Sequence, residues 1–362
     1  MIKELKLHNF KCFKDICIPQ NRLNIYSGLN SMGKSTIIQS MLLLKQSLKD
    51  QYTPHYCILN GDYINIGTGR DLLCEYAEDE EIRISMIDDR DDNLHDVIIK
   101  YSDNSDTLDI FRFSPIISEY FYSYDQFEYI AAERSSPKAI YPKSSYDVEI
   151  LTHLGIHGEY AVHYLLNNQD KTIGWDSCDG NATTIKEAVQ YWLNDISPNV
   201  NLEIMDIENT DYTRLGYYYT ENIRSNTFRP TNIGFGVSYV LPVIIALIKA
   251  KSGSIVIIEN PEAHLHPMGQ RKIGELIAKA AEAGIIVHIE THSDHVLNGI
   301  RISVKKKLIK PEYVNILFFK IIKNSKDYIH SYDNPHINEY GKLDCWPEGF
   351  FDEWDKALDE IL

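Results

Sequence analysis

One eight-residue run limits what this chain can fold into more than any other feature. Gly28-Leu29-Asn30-Ser31-Met32-Gly33-Lys34-Ser35 matches the pattern G-x-x-x-x-G-K-[ST]. Strand-like Leu23-Asn-Ile-Tyr-Ser27 precedes it, and the apolar stretch from Thr36 to Lys45, which reads as a helix, follows it; the pattern requires that context. From average composition the four fixed positions recur by chance in about one chain in a hundred of this length, before the context is applied. The glycines let successive backbone N–H groups curl around phosphates, and the helix that opens at the loop adds its partial positive charge. In this reading residues 28–36, Thr36 included, cradle the phosphates of ATP. Lys34 reaches the β- and γ-phosphates, and the Ser35 hydroxyl sits on Mg²⁺, which neutralises charge on the transferred phosphoryl group.

The rest of the sequence supplies an α/β frame around that loop. Ile2 to Phe10, Leu23 to Tyr26, Glu81 to Ile87 and Val97 to Tyr101 alternate polar and apolar residues, so the first hundred or so residues read as β-rich. Residues from about Ser135 to Asn209 carry helical patterns at Glu149 to Leu166 and Thr184 to Leu193, broken by polar turns. From Gly234 the order becomes helix, strand, helix, strand, helix, strand, which implies a mostly parallel sheet with right-handed crossovers. The expected division is an N-terminal ATPase lobe (1–134), an inserted helical/β lobe (135–227), a C-terminal ATPase lobe (228–322) and a tail (323–362). Ser254-Ile-Val-Ile-Ile-Glu259 is an apolar strand ending in a carboxylate. That is what a metal-linked acid at the C-terminal edge of a parallel sheet requires, with some of its metal contacts made through water. An acid ending a strand is by itself often a solvated turn residue; the phosphate loop in the same chain favours the functional reading.

Composition narrows the function classes. The six cysteines lie far apart with no C-x-x-C pair, so neither a zinc ribbon nor a disulfide framework is suggested. The N-terminus lacks a long apolar segment before a small-residue cleavage site, and the most apolar stretch, Val237 to Leu247, is too short to span a bilayer. A soluble, cytoplasmic protein with no membrane partner is expected. The net charge of −16 argues against a uniformly basic nucleic-acid surface, although Arg301 to Lys310 is locally basic and reads either as a phosphate contact or as a solvated helix end. His264-x-His266, with His288 and His295 nearby in sequence, offers a weak case for a transition metal. The tail places Phe350, Phe351, Trp354, Leu358 and Leu362 at helical spacings, for packing or for docking a partner.

The run Ile-Glu259-Asn-Pro-Glu-Ala-His-Leu-His-Pro267, with Glu290-Thr-His-Ser293, resembles the ABC-type ATPases of the overcoming-lysogenization-defect, chromosome-maintenance and recombination-repair groups, and the likeness spans nearly the whole chain. Asn9-Phe-Lys-Cys-Phe13 is similar to the opening of those ATPases that lies beside the nucleotide, which assigns Lys11 and Phe13 to the nucleotide site. Thr231 to Ser238 falls where their signature loop falls. The tail Trp346-Pro-Glu-Gly-Phe-Phe351 is similar to a bacterial subgroup that ends in a domain of unknown function. The resemblance implies an ABC-type P-loop ATPase head, with a β-rich N-terminal lobe, a mostly parallel core sheet and an inserted helical lobe. It implies that His292 senses the γ-phosphate, and that Gly236 and Ser238 touch the γ-phosphate of an opposite subunit in a homodimer or higher oligomer.

Two departures qualify that pattern. Asn260 occupies the place of the usual catalytic glutamate, and an amide cannot accept a proton as a general base. Glu262 then either orients the attacking water, or hydrolysis is slow and nucleotide acts as a clamp. The signature lacks leucine-serine-glycine-glycine-glutamine, which disfavours a transporter subunit. The chain ends soon after the ATPase core, without space for the nuclease module of the lysogenization-defect nucleases. A separate effector such as a nuclease or toxin is therefore expected, with a DNA-directed or anti-phage activity under ATP control. The alternative is a nucleotide-gated scaffold with little hydrolysis.

Overall fold

The computed structural model describes residues 1–49, 52–123, 126–220, 223–323 and 328–361. The chain forms two compact units. One comprises Met1–Ser123, Val314–His336 and Cys345–Leu362; the other comprises Tyr124–Tyr313 and Ile337–Asp344.

The first unit opens with β1 (Ile2–Phe10), β2 (Phe13–Pro19), β3 (Leu23–Gly28) and α1 (Lys34–Ser47). It continues through β4 (Tyr56–Ile58), α2 (Gly69–Leu72), β5 (Glu81–Asp88), β6 (Leu94–Lys100), β7 (Thr107–Phe113) and α3 (Ile116–Phe121). Strands β2, β1, β5, β6, β7 and β4 form one antiparallel sheet in that order. Its alternating patterns bury one face, as Leu5 and Leu7 do in β1, which is the signature of a half-buried strand. β3 is different: Leu23 to Ser27 are all buried, as expected of a strand covered on both faces.

In the second unit, β8 (Phe127–Ile130) is followed by the short β9 (Tyr141–Pro142), α4 (Ala161–Asn168) and α5 (Ile185–Ile196). Then come β10 (Val200–Asp206), β11 (Tyr212–Tyr219), α6 (Phe235–Lys249), β12 (Ile255–Glu259), α7 (Pro267–Glu282), β13 (Ile286–Glu290) and α8 (Asp294–Lys305). β8, β12 and β13 run parallel, with Ile258 opposite Ile130 and Glu259 opposite Glu290. A separate antiparallel sheet joins β10, β11 and β9. Among the described residues no helix is long and apolar enough to cross a membrane.

The chain then returns to the first unit with β14 (Val314–Lys323), β15 (Tyr328–Asp333) and α9 (Glu353–Ile361). β14 pairs in parallel with β3, setting Phe319 against Gly28, and β15 runs antiparallel to β14.

Two sequence expectations are revised. The helix expected from Glu149 to Leu166 is split into a π-helical turn at Tyr146–Ile150 and α4 from Ala161, because Thr152 (φ 56°), Gly155 (φ 78°) and Gly158 (φ 67°) between them take left-handed backbone that a helix cannot continue through. In the tail, Phe350 and Phe351 precede α9 rather than lying on it. Phe350 is buried with its ring 5.2 Å from that of Phe318, and Phe351 has φ 52°. The Trp354 side chain and Leu362 lie outside the described residues.

Gly28 shows how tightly β14 closes on the phosphate loop. Its φ is 131°, and a Cβ there would stand 2.4 Å from the Phe319 carbonyl oxygen. Gly28→Ala should therefore destabilise the protein by at least about 1–2 kcal/mol from backbone strain alone, read as a lower melting temperature. An unchanged melting temperature would show that this approach is not a constraint.

Candidate active site

The first unit carries the phosphate loop between β3 and α1. Three of its residues have positive φ: Gly28 (131°), Ser31 (64°) and Gly33 (106°). The backbone curls accordingly. Leu29, Asn30, Ser31 and Ser35 are exposed at its rim, with Met32 half-buried. Lys34 is buried, and its Nζ donates to the carbonyl oxygens of Gly28 (3.0 Å) and Leu29 (2.8 Å). The ammonium is thus folded back across the loop that it would share with a phosphate. α1 begins on Gly33 with no side-chain cap and no acid in its first turn, so its first N–H groups and dipole are oriented for an anion. Curled amides, an enclosed ammonium and an uncapped helix start fit a polyphosphate.

Phe13 and Lys11 take different places around the loop. The Phe13 ring is buried under it, where a Cβ on Gly33 would meet Cζ at 2.5 Å. Lys11 stands at the β1–β2 turn with φ 52°, its N–H donating to the Leu72 carbonyl at 2.7 Å, and burial lowers its pKa from the ordinary value. Thr36 is buried, and Cys12 Sγ donates to its hydroxyl at 3.5 Å.

The second unit gathers the carboxylates at the C-terminal ends of its parallel strands. Glu259 ends β12, where Tyr129 Oη donates to its Oε1 (3.1 Å) and the Ala132 N–H to its Oε2 (3.2 Å). Burial raises its pKa from the ordinary carboxylate value, opposed by those two donors and by Arg134. Asn260 has φ 44°, the left-handed region that asparagine enters more readily than glutamate does. Its N–H donates to the Glu290 carbonyl at 2.8 Å, while its buried Oδ1 has no hydrogen-bond partner among the described residues.

Glu262 reaches the end of β13. Thr291 Oγ1 donates to its Oε2, and the His292 N–H to its Oε1, each at 2.8 Å. Burial raises the Glu262 pKa too, against these same donors. The His292 side chain is exposed while its backbone is fixed by this carboxylate. Ser293 caps α8 through Val296 N–H and donates to Gln270 Oε1 at 2.6 Å.

The signature segment lies at the start of α6. Gly234 and Phe235 are exposed there, whereas Gly236 and Ser238 are buried. A Cβ on Gly236 would come within 2.3 Å of the His264 carbonyl oxygen. Both residues therefore face their own chain, and contact with another would need the first turn of α6 to move. The four histidines also separate. His264 packs between Phe235 (4.7 Å) and Tyr239 (4.8 Å), and His266 Nδ1 accepts from Met268 N–H at the start of α7. His288 is buried in β13 with its pKa lowered to about 3 by burial, and His295 lies on α8.

Sequence reasoning passed over Arg134. It is buried, and its Nη2 donates to the carbonyl oxygens of Glu259 and Asn260 (the latter 3.0 Å), tying down the turn after β12. Its guanidinium lies 5.1 Å from the centre of the Tyr239 ring. Burial lowers its pKa to about 10, while Tyr239, Glu262 and Glu259 favour the cation. Nε and Nη1 have no hydrogen-bond partner among the described residues. The signal available in the sequence was position: Arg134 follows a buried strand at the same sheet edge as Glu259.

With this geometry in hand, the likenesses to known proteins are informative. Residues 27–298 match the family described as "AAA domain, putative AbiEii toxin, Type IV TA system", and residues 309–361 match "Protein of unknown function (DUF3696)". Among solved structures, an SMC head bound to the C-winged helix domain of ScpA is 14% identical, with 93% of this chain and 98% of that chain covered and a TM-score of 0.55. An SMC head with an extended coiled coil, bound to the C-terminal domain of ScpA derived from Pyrococcus furiosus, is 13% identical with 99% of each chain covered and a TM-score of 0.49. The SMC head domain from Thermotoga maritima is 10% identical, with 92% and 98% covered and a TM-score of 0.46. The first of these likenesses shows an α/β fold like that of an SMC head, and the family match adds that it is an ATPase domain. No curated protein matches the chain.

The raised Glu259 carboxyl gives a signed prediction. A group whose folded pKa lies above its unfolded one carries its ionisation cost in full above the folded pKa, and sheds it as pH falls to about 4.3, the ordinary glutamate value. Glu259→Gln removes that cost. Its melting temperature relative to wild type should therefore rise as pH is taken from 4 to 8. A difference that is flat or falls with pH would mean that the carboxyl is not held above its ordinary value.

Proposed function

Because this chain belongs to the ATPase family described as "AAA domain, putative AbiEii toxin, Type IV TA system", we propose that it binds ATP with Mg²⁺ and that nucleotide-dependent association of two copies controls a separate effector protein. The effector would be a nuclease or toxin, and the controlled activity DNA-directed or anti-phage. The toxin–antitoxin description of the family supports a defence setting for this chain.

One observation carries the ATPase reading: a half-buried glutamate ends β12 with both carboxylate oxygens held by donors, and a second glutamate fixes the backbone of the residue after Thr291. The 28–36 loop wraps the phosphates with its N–H groups, and Lys34 exchanges its carbonyl partners for phosphate oxygens. Ser35 and Glu259 are the residues that would hold Mg²⁺, Glu259 partly through water. Bound there, the ion neutralises charge on the phosphoryl group. Tyr129 and Ala132 orient the carboxylate. His292, exposed and backbone-fixed, donates a hydrogen bond to the γ-phosphate. Lys11 and Phe13 serve the nucleotide site from the β1–β2 turn, Phe13 by supporting Gly33. Partner contact would involve the α6 N-terminus, including Gly236 and Ser238 once its first turn shifts.

A second reading is a nucleotide-gated scaffold with little turnover, favoured by Asn260 and by the engagement of both Glu262 oxygens. Where Glu262 only fixes His292, it is a positioning residue and no base is present among the groups named.

Two measurements decide. Lys34→Ala should weaken ATP binding by about 10- to 150-fold, the range for a lost hydrogen bond to a charged group; unchanged affinity in a titration would remove the phosphate-loop assignment. Glu262→Gln should leave ATP binding intact. If Glu262 activates water, phosphate release drops by about 10² to 10⁴. On the scaffold reading turnover begins near background, barely changes in the variant, and ATP still shifts the dimer mass. Fast wild-type hydrolysis that ignores Glu262→Gln would sink both readings.

A further inference from the structure

The basic run that starts at Arg301 has no role in the nucleotide chemistry, yet two of its cations, Arg301 and Lys305, line a groove. α7, α8 and the turn 338–342 enclose about 580 Å³ in the second unit. The two helices are pressed together by glycines: a Cβ on Gly274 would meet the Val296 carbonyl oxygen at 2.3 Å, and one on Gly299 would meet that of Arg271 at 2.1 Å. With Val296, Leu297, Ile300, Ser303 and Val304 buried on the other side of α8, the positions 295, 298, 301 and 305 fall on its outer face.

The third wall comes from the segment matching the family of unknown function. Asn338 shapes the turn, its Oδ1 accepting from Tyr340 N–H (3.0 Å) and Lys342 N–H (3.1 Å). Gly341 (φ 75°) sits so close that a Cβ would stand 2.4 Å from the Arg301 carbonyl oxygen, and Arg301 Nε donates to the Gly341 carbonyl at 2.9 Å. Arg301 Nη1 donates to Asn298 Oδ1 at 2.9 Å. The turn is therefore docked on α8, and it presents Tyr340 (65% exposed) beside the cations.

The lining holds Arg271, Arg301, Lys305 and Lys342 and no carboxylate. Two acids stand at the rim: Glu339, whose side chain hydrogen-bonds the Tyr340 hydroxyl, and Asp294, 3.7 Å from His295 Nε2. In a chain of net charge −16, such a concentration of cations runs against the overall field and marks a local site for a polyanion. An exposed aromatic ring flanked by cations is the arrangement that stacks an unpaired base while holding its backbone phosphates; an acidic protein would have no use for the ring's flat face.

We propose that this groove binds single-stranded nucleic acid, with phosphates on Arg271, Lys305 and Lys342 and a base on Tyr340. The assignment is independent of the ATPase reading, because the binding is expected without nucleotide and in Lys34→Ala.

The test is fluorescence anisotropy of the full chain with 5′-labelled oligo(dT) and with a duplex of equal length, across a salt series. Binding should favour the single strand. Lys305→Glu/Lys342→Glu should weaken it more than tenfold and lower the salt slope by about 1.4, the change for two lost single-strand phosphate contacts. Lys305→Arg/Lys342→Arg should bind as wild type does. Tyr340→Ala should cost about 5- to 150-fold, the range for one stacked base. Circular dichroism melts of each variant separate lost binding from lost fold. The proposal is overturned by no oligonucleotide binding at low salt, by equal or tighter duplex binding, by affinity that folded charge-reversal variants retain, or by polyglutamate competing as well as oligo(dT) does.

Discussion

The contact on which the phosphate loop depends is between backbone atoms far apart in sequence. Gly28 lies so close to Phe319 that no side chain fits between them, and parallel pairing of β3 with β14 holds them in register. Everything the loop offers a phosphate follows from where β3 ends: the left-handed Ser31 and Gly33, the enclosed Lys34 and the uncapped start of α1. The Phe13 ring supports the other side of the turn. β14 falls within the segment that matches a family of unknown function, so part of that segment is structural support for the nucleotide-binding head.

The carboxylates of the second unit follow a different constraint, the cost of burying charge. Glu259 and Glu262 are each pushed toward protonation by burial, and each is answered by hydrogen-bond donors and by Arg134. Such a balance leaves both able to respond to an arriving cation. Asn260 also gains a physical explanation: its φ of 44° suits asparagine, and a glutamate there would carry its charge into a buried position. The amide is therefore consistent with local backbone geometry as well as with slow chemistry.

The fold was largely legible in the sequence because its signals are local. A glycine loop between an apolar strand and an apolar helix, and uninterrupted buried runs such as Ile255 to Ile258, need no knowledge of distant residues. The failures were of two kinds. Left-handed backbone at Thr152 broke a helix whose apolar spacing looked continuous, since periodicity does not register φ. Long-range partners were invisible: the place of Arg134 after a buried strand points to a sheet edge, but not to the carbonyls of Glu259 and Asn260 that it grips. For the same reason the burial of Gly236 could not be foreseen, because it lies against the backbone of a loop around His264 that arrives later in the chain. The apolar spacing of the tail was real, but Phe350 uses it to pack on Phe318 before α9 begins.

The pairing of β3 with β14 bears on how the protein is made. Synthesis delivers the glycine loop long before the strand that supports it. Closing so long an intervening segment costs entropy before any contact rewards it. A nascent chain released early would thus carry the full phosphate-loop sequence without the strand that shapes it. Competence for nucleotide is acquired late, and abortive translation products should be silent rather than partly active.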